Sequence, residues 1–319
     1  MKRTSRATGI GAAVSSAVFL GMVPVLGKQA MLAGFSPLAV VSLRTSIAAL
    51  LLLVLTLLFK PKYLYIYPVG FVGCILAGAT NGLGSIFYYT GLSRMDASLA
   101  HTLYSLYPLF MAFWLWLDHQ SLSRLTGFRL LLSIPGIYLL VNRSGESVDW
   151  LGAGLMLASA LLYALHLLIN QRVLYEAPAQ TVTLYTLIAM SVTVVSVYAL
   201  FGSPLAPGWY QTAAPVFWMG LLTFLSRLSL FTGVKHVGGM QTTLLGLSEL
   251  LITVLLAQLW LGDRLSAQQW IGAALLTATL LLAILDHPSQ GNGSIKSLFT
   301  WLSPGHSMRE IRPNHRDSL

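Results

Sequence analysis

The sequence predicts an all-α integral membrane protein of ten transmembrane helices, arranged as two inverted five-helix repeats. Three observations carry this expectation. Ten apolar runs, parted by brief polar breaks, recur along the 319 residues, and a helix needs about 20 residues to cross a ~30 Å hydrocarbon core. Charged residues are 9% of the chain and hydrophobic ones 55%, with a mean hydropathy of +0.72, whereas a soluble domain carries about 25% charged residues. The runs form two sets of five, and five is odd. A second set sharing the fold of the first therefore enters the bilayer in the opposite sense. Helices are expected rather than a barrel, because strict alternation is missing and each helix pairs its own backbone groups.

The first run, 9–26, follows Lys2, Arg3 and Arg6, a flank that imitates a secretory signal. It is longer than a signal core and nine runs follow it, so it reads as an uncleaved first span. The second, 36–59, holds Arg44 eight residues from its outer end, a depth of about 12 Å. The third, 67–90, holds Asn81 at mid-span among Gly70, Gly73, Gly78, Gly82 and Gly84. Gly78 and Gly82 form a small-residue stripe that permits close helix approach. The fourth, 97–117, carries His101 near its outer end, and the fifth, 125–141, is interrupted by Arg129 and Pro135. Pro24, Pro108 and Pro135 are candidate bending points.

In the second set, the run 150–169 places His166 near its inner end, 180–201 is uninterrupted, and 213–231 places Arg227 one turn from its inner end. The run 238–261 contains Gln241, Glu249 and Gln258, and 268–285 closes the series. The expected organisation is a first repeat over 1–145, a second over 146–286 and a polar cytoplasmic tail over 287–319. Asp118, Leu122-Ser123 and Gly127 recur as Asp263, Leu265-Ser266 and Gly272, with nine residues from aspartate to glycine in both copies. In the tail, residues 294–302 read either as a short surface helix or as disordered chain with stray apolar residues.

Basic residues set the orientation. With the N-terminus inside, thirteen fall on the cytoplasmic side (Lys2, Arg3, Arg6, Lys60, Lys62, Arg124, Arg129, Arg172, Lys235 and four in the tail), against Lys28, Arg94, Arg143 and Arg264 outside. Both termini are thus expected in the cytoplasm, in a multi-pass protein of the cytoplasmic (inner) membrane. The formal charge of +9 collects at helix ends and in the tail, which suits anionic lipid headgroups rather than a nucleic acid. Cys74 is the only cysteine, so no disulfide forms within one chain.

A charge near the bilayer centre costs at least ~2.5 kcal/mol on insertion scales, so it normally faces a cavity or a partner. Arg44 and Glu249 lie at similar depths and are expected to face one central cavity, pairing directly or binding opposite ends of a polar or zwitterionic substrate. A structural ion pair is the bland alternative. Glu249 is also the candidate for proton coupling, since burial of a carboxyl favours its protonated form, and His101 is a candidate partner in titration. Asn81 offers two donors and an acceptor, and Tyr88 shares its face. Tyr89 reads as part of the interfacial aromatic belt. Arg227 reads as snorkelling toward lipid phosphates or gating the inner mouth, and Lys28 as an outer boundary residue.

These residues also carry a resemblance. Ser36-Pro37-Leu38 with Leu43-Arg44 and Ala48-Ala49-Leu50, Asp96-Ala97-Ser98-Leu99-Ala100 with Leu106-Tyr107-Pro108-Leu109, and Leu261-Gly262-Asp263-Arg264-Leu265-Ser266 with Gln269-Trp270-Ile271-Gly272 resemble, in order, three motifs of the ten-span EamA-type branch of the drug/metabolite transporter superfamily. The resemblance covers residues 9–286. Asp118 and Asp263 stand where that family usually has glutamate, Leu250 follows Glu249 where proline is common, and Phe19 and Leu162 replace frequent tryptophans. The resemblance implies a permease moving small metabolites, often outward. Combined with one acid and one base in the pocket, it suggests amino acids as the substrate class.

No GxxxxGK[ST] loop, G-x-S-x-G elbow, HExxH helix or metal-spaced His/Cys/Asp cluster occurs in the sequence, so neither ATP-driven pumping, an enzyme nor a cofactor is expected. The leading expectation is a secondary transporter with a small-molecule substrate, driven by the substrate's own gradient or by protons. A membrane enzyme using His101, His166 or Glu249, and a non-transporting scaffold or sensor, stay open. So does the oligomeric state, a homodimer included.

Overall fold

The computed structural model describes residues 2–117, 149–205, 209–237 and 248–285, with single residues and short groups inside 128–139 and 242–246. Among the described residues all regular structure is helical. The helices are α1 (Lys2–Leu32), α2 (Pro37–Phe59), α3 (Pro68–Arg94), α4 (Ala97–Tyr104), α5 (Tyr107–Leu117), α6 (Trp150–Leu174), α7 (Ala179–Phe201), α8 (Ala214–Val237), α9 (Ser248–Leu256) and α10 (Ala267–Leu285). Six of the helices described, in α1, α2, α3, α6, α7 and α8, are long and apolar enough to cross a bilayer. The run 125–141, the tail 287–319, and Asp118, Arg124, Arg129, Arg143 and Gln241 lie wholly or largely outside the described residues.

Local chemistry accounts for where helices start. Ser36 caps α2, its Oγ accepting from the Ala39 N–H at 3.2 Å, and Pro37 follows at the first helical position, where a missing N–H costs nothing. Asp149 caps α6 by accepting from the Gly152 N–H at 2.9 Å. Three boundaries differ from expectation. α1 continues through Pro24 to Leu32 rather than ending near it. α8 reaches Val237, six residues past the expected end at Phe231. The expected single span 97–117 is two helices, parted at Ser105-Leu106. Pro108 lacks the N–H that would continue the ladder, and its ring disfavours helical geometry before it. The break is closed by tight bonds, Leu106 N–H to Leu103 O at 3.2 Å and Leu109 N–H to Leu106 O at 2.9 Å.

Packing sets α1 against α8 and α9, α3 against α6 and α7, α2 against α7 and α8, and α6 against α4 and α5. Small residues allow the closest approaches. A Cβ on Gly78 would sit 2.5 Å from Ala189 Cβ and 2.6 Å from Thr186 O, and one on Gly82 would sit 3.0 Å from Thr193 Cβ, so the glycine stripe of α3 is the seam with α7.

Polar contacts mark the two ends of the bundle. At one end Lys28 Nζ donates to Leu92 O and Met95 O at 2.9 and 2.8 Å, Arg94 pairs with Asp149, and Asp263 accepts from Ser98. At the other, Thr181 and Tyr185 donate to the carbonyls of Tyr63 and Leu64, and Lys235 Nζ donates to Ala177 O at 2.8 Å. Lys28 and Lys235 thus each satisfy carbonyls at or just beyond a helix C-terminus. Lys28, expected to be a boundary residue, is a structural clamp between α1 and α3.

Candidate functional site

A cavity of about 40 Å³ lies between the two ends, with Arg44, Asn81, Tyr88, His101, Arg227 and Glu249 all on its wall. These six residues, singled out in the sequence as site candidates, therefore line one cavity. Its volume holds one or two waters.

Arg44 reaches the cavity from the middle of α2 and is 4% exposed. Its Nη1 donates to Thr223 Oγ1 at 3.2 Å on α8, its Nη2 to Ser85 Oγ at 3.4 Å on α3, and its Cζ lies 5.0 Å from the Tyr89 ring centroid. The guanidinium lies over an aromatic face within cation–π range, an arrangement suited to its weak hydration. Nε has no partner among the described residues.

Glu249 occupies the first turn of α9 and is 5% exposed. Gly21 holds this turn close to α1: a Cβ there would lie 2.9 Å from Glu249 O, and Thr253 Oγ1 donates to Gly21 O at 2.8 Å. The Glu249 carboxyl faces His101 rather than Arg44. Its Oε1 is 3.3 Å from His101 Nε2, an ion-pair distance without hydrogen-bond alignment. His101 Nδ1 in turn meets the Tyr88 hydroxyl at 3.1 Å. Among the described residues Arg44 and Glu249 share a cavity but form no direct ion pair.

Two expectations need correction. Tyr89 is not in an interfacial belt: it is 1% exposed and lies beneath Arg44. Arg227 does not snorkel. It lies ten residues inside the end of α8, a depth of about 15 Å, and is buried with its Cζ 5.3 Å from the Tyr163 ring centroid. Its Nε and Nη1 have no hydrogen-bond partner among the described residues.

Asn81 donates to the weak acceptor Met190 Sδ at 3.1 Å, so much of its hydrogen-bonding capacity remains. Pro24 has no N–H to give to the Leu20 carbonyl one turn earlier, and both residues line the cavity. The sequence reading passed over Tyr104, Ser85 and Ser159, which also line it. Tyr104 rings contact Tyr88, Tyr107 and Tyr163 at centroid distances of 4.9, 5.7 and 5.4 Å. The detectable signal was helical spacing, since Ser85 is one turn from Asn81 and Tyr104 nearly one turn from His101.

His166 belongs to a different cluster. Its Nδ1 lies 3.0 Å from both Ala77 O and Asn170 Nδ2, and Thr186 donates to Asn170 Oδ1 at 3.0 Å. No group of three or more His, Cys, Asp or Glu residues suited to a metal occurs among the described residues.

Comparison with known proteins agrees with a two-part chain. Two segments, residues 7–142 and 150–285, match the EamA-like transporter family. An uncharacterised transporter of Synechocystis, sll1319, is 25% identical over 225 residues, and the alignment spans 66% of each protein. A solved crystal structure superposes with a TM-score of 0.64 over 88% of this chain and 97% of that one, at 18% identity, a likeness of fold.

Proposed function

Because the chain belongs to the EamA-like transporter family, we propose that it is a secondary transporter, moving a small polar metabolite such as an amino acid through the Arg44–Glu249 cavity by alternating access. One observation carries this reading. Arg44, Arg227, His101 and Glu249 come from four different helices and are buried together in one cavity of an apolar bundle, where each charge is costly unless it has a task.

The packing supports two inverted repeats within ten spans. Exchange α1 with α6, α2 with α7, α3 with α8, and α4–α5 with α9. The pairing of α1 with α8 then becomes that of α6 with α3, α2–α8 becomes α7–α3, and α1–α9 becomes α6 with α4 and α5, all of which occur. A cavity on such an axis opens to either side by rocking of the two halves. The basic residues favour a cytoplasmic position for both termini in the inner membrane. The contact of Glu249 with His101 supports protons as a coupling ion, the pair taking one up as the substrate binds or leaves.

Counterflow in proteoliposomes tests the reading. Radiolabelled amino acids are expected to exchange into vesicles preloaded with the same unlabelled compound, and not into protein-free vesicles. No exchange across a broad metabolite panel sinks the transport reading, and covalent change of a panel member points to an enzyme instead.

A further inference from the structure

We propose that Arg44 and Arg227 together form a clamp for the carboxylate of the substrate, so that small organic acids, amino acids included, are recognised by their anionic end while the ammonium group is dispensable. This rests on the transport reading of the cavity and narrows its substrate class.

The two guanidinium groups lie near one another. Arg44 donates to Thr223, and Thr223 is one helical turn before Arg227 on α8, which places them on one face. Both line the same cavity and lie within electrostatic reach of each other. Like charges withdrawn from water repel strongly, so the pair is poised for an anion between them. Three of their donor atoms, Arg44 Nε and Arg227 Nε and Nη1, are buried without a hydrogen-bond partner among the described residues. Buried cationic donors left unpaired are the costliest polar groups in a fold, and a carboxylate is the planar acceptor that matches a guanidinium fork.

Charge balance bears on the choice of anion. Among the described residues, the cavity wall holds two guanidinium groups and one carboxyl group, that of Glu249. With that carboxyl ionised the excess is one positive charge, which a monoanion neutralises and a phosphate monoester, carrying about −1.5 to −2 near neutral pH, overshoots. The ring faces of Tyr89 and Tyr163 beneath the guanidiniums stabilise cations without supplying a counter-charge. Glu249 Oε1 lies 3.3 Å from His101 Nε2, so this carboxyl has a neighbour within the protein and does not depend on an incoming ammonium.

The test uses the purified full-length chain in detergent, reading the thermal unfolding midpoint against ligand concentration. The probes are alanine, pyruvate, alaninamide and ethylamine, the same four groups on a leucine skeleton (leucine, 4-methyl-2-oxopentanoate, leucinamide, 3-methylbutylamine), and inorganic phosphate. In at least one skeleton the amino acid and its 2-oxo acid are expected to raise the midpoint in a concentration-dependent way, with the amide, the amine and phosphate inert. Arg44→Gln and Arg227→Gln are expected to weaken the carboxylate effect about tenfold to hundredfold, and the lysine variants to weaken it less. Stabilisation by the amide or amine equal to the acid overturns the clamp, as does phosphate outranking both acids, unchanged affinity in both glutamine variants, or no response to any acid. If the glutamine variants do not fold, the ranking on the native chain decides. Counterflow separates this proposal from the parent reading: acids that bind without exchanging sink transport and leave the clamp, whereas amides that exchange as well as acids sink the clamp and leave transport.

Discussion

Asp263 caps the helix that carries His101. Its Oδ2 accepts from the Ser98 backbone N–H at 3.0 Å and from the Ser98 hydroxyl at 3.1 Å, so a loop following α9 closes the start of α4. A carboxylate there satisfies an orphan donor and favours the positive end of the helix. Asp263→Ala is expected to lower stability by about 0.5–2 kcal/mol, while Asp263→Asn, which keeps an acceptor oxygen, costs less. Thermal unfolding of both variants in detergent checks this, and equal midpoints would remove the cap.

Proton coupling through Glu249 makes a separable prediction. Exchange of substrate for substrate moves no net proton, whereas uphill transport driven by a pH gradient does. Glu249→Gln is therefore expected to retain counterflow but to lose accumulation under an imposed pH gradient at least tenfold. Accumulation at the native level would exclude the carboxyl as the coupling group.

How much of this was legible in the sequence depends on what each residue type normally does in a bilayer. Arg44, Asn81, His101 and Glu249 stood out because polar groups deep in apolar runs are expensive, and all four line the cavity. Tyr89, Tyr104 and Tyr163 did not, since tyrosine is at home at membrane interfaces and its depth does not mark it. Arg227 was misplaced because the run was expected to stop at Phe231, whereas α8 continues through Gly233 and Lys235. Lys235 is held by the Ala177 carbonyl at 2.8 Å, a tertiary partner that no hydropathy pattern reveals. The division of the fourth run was signalled by Pro108, but its location two residues before Tyr107 depends on backbone bonds around Leu106.

The seam between α3 and α7 tolerates no added atoms at Gly78. A Cβ there meets both a side chain and a backbone carbonyl, neither of which can swing away. Gly78→Ala is expected to cost about 1–3 kcal/mol, the range for overpacking. Gly11 on α1 is the control. A Cβ there meets nothing within 4 Å, so Gly11→Ala is expected to be neutral or to gain up to about 1 kcal/mol from helix propensity. Equal midpoints for the two variants would contradict the close packing.

Asp149 links stability to acid. The Gly152 N–H holds its carboxyl below the ordinary carboxylate value of 3.8, and Arg94, with Nε at 2.8 Å, adds to the effect while partial burial opposes it. A group whose folded-state value is depressed contributes stability above its unfolded value, and that contribution fades as pH falls through the folded one. The native chain is thus expected to lose stability below about pH 4 faster than Asp149→Asn does. The difference should stay within about 1 kcal/mol, because solvent screens an exposed pair. Parallel unfolding curves between pH 7 and 3 would show that this carboxylate carries no such linkage.

Sidedness follows from which ends of the bundle touch. Residues 63–64 bond to Thr181 and Tyr185, and Lys235 bonds to Ala177, so these segments share one end. Arg94 with Asp149, and Ser98 with Asp263, share the other. The first end carries Lys60, Lys62, Arg172 and Lys235, and basic residues concentrate on the cytoplasmic side. The native protein suits a labelling test, since its single cysteine, Cys74, is buried. Tyr65 and Arg264 are exposed at opposite ends. Tyr65→Cys is expected to react with a membrane-impermeant maleimide only after cells are opened, and Arg264→Cys in intact cells. Labelling of both from the same side would break the assignment of ends, and with it the threading of the two halves in opposite senses. The reverse pattern would keep the bundle and invert its orientation.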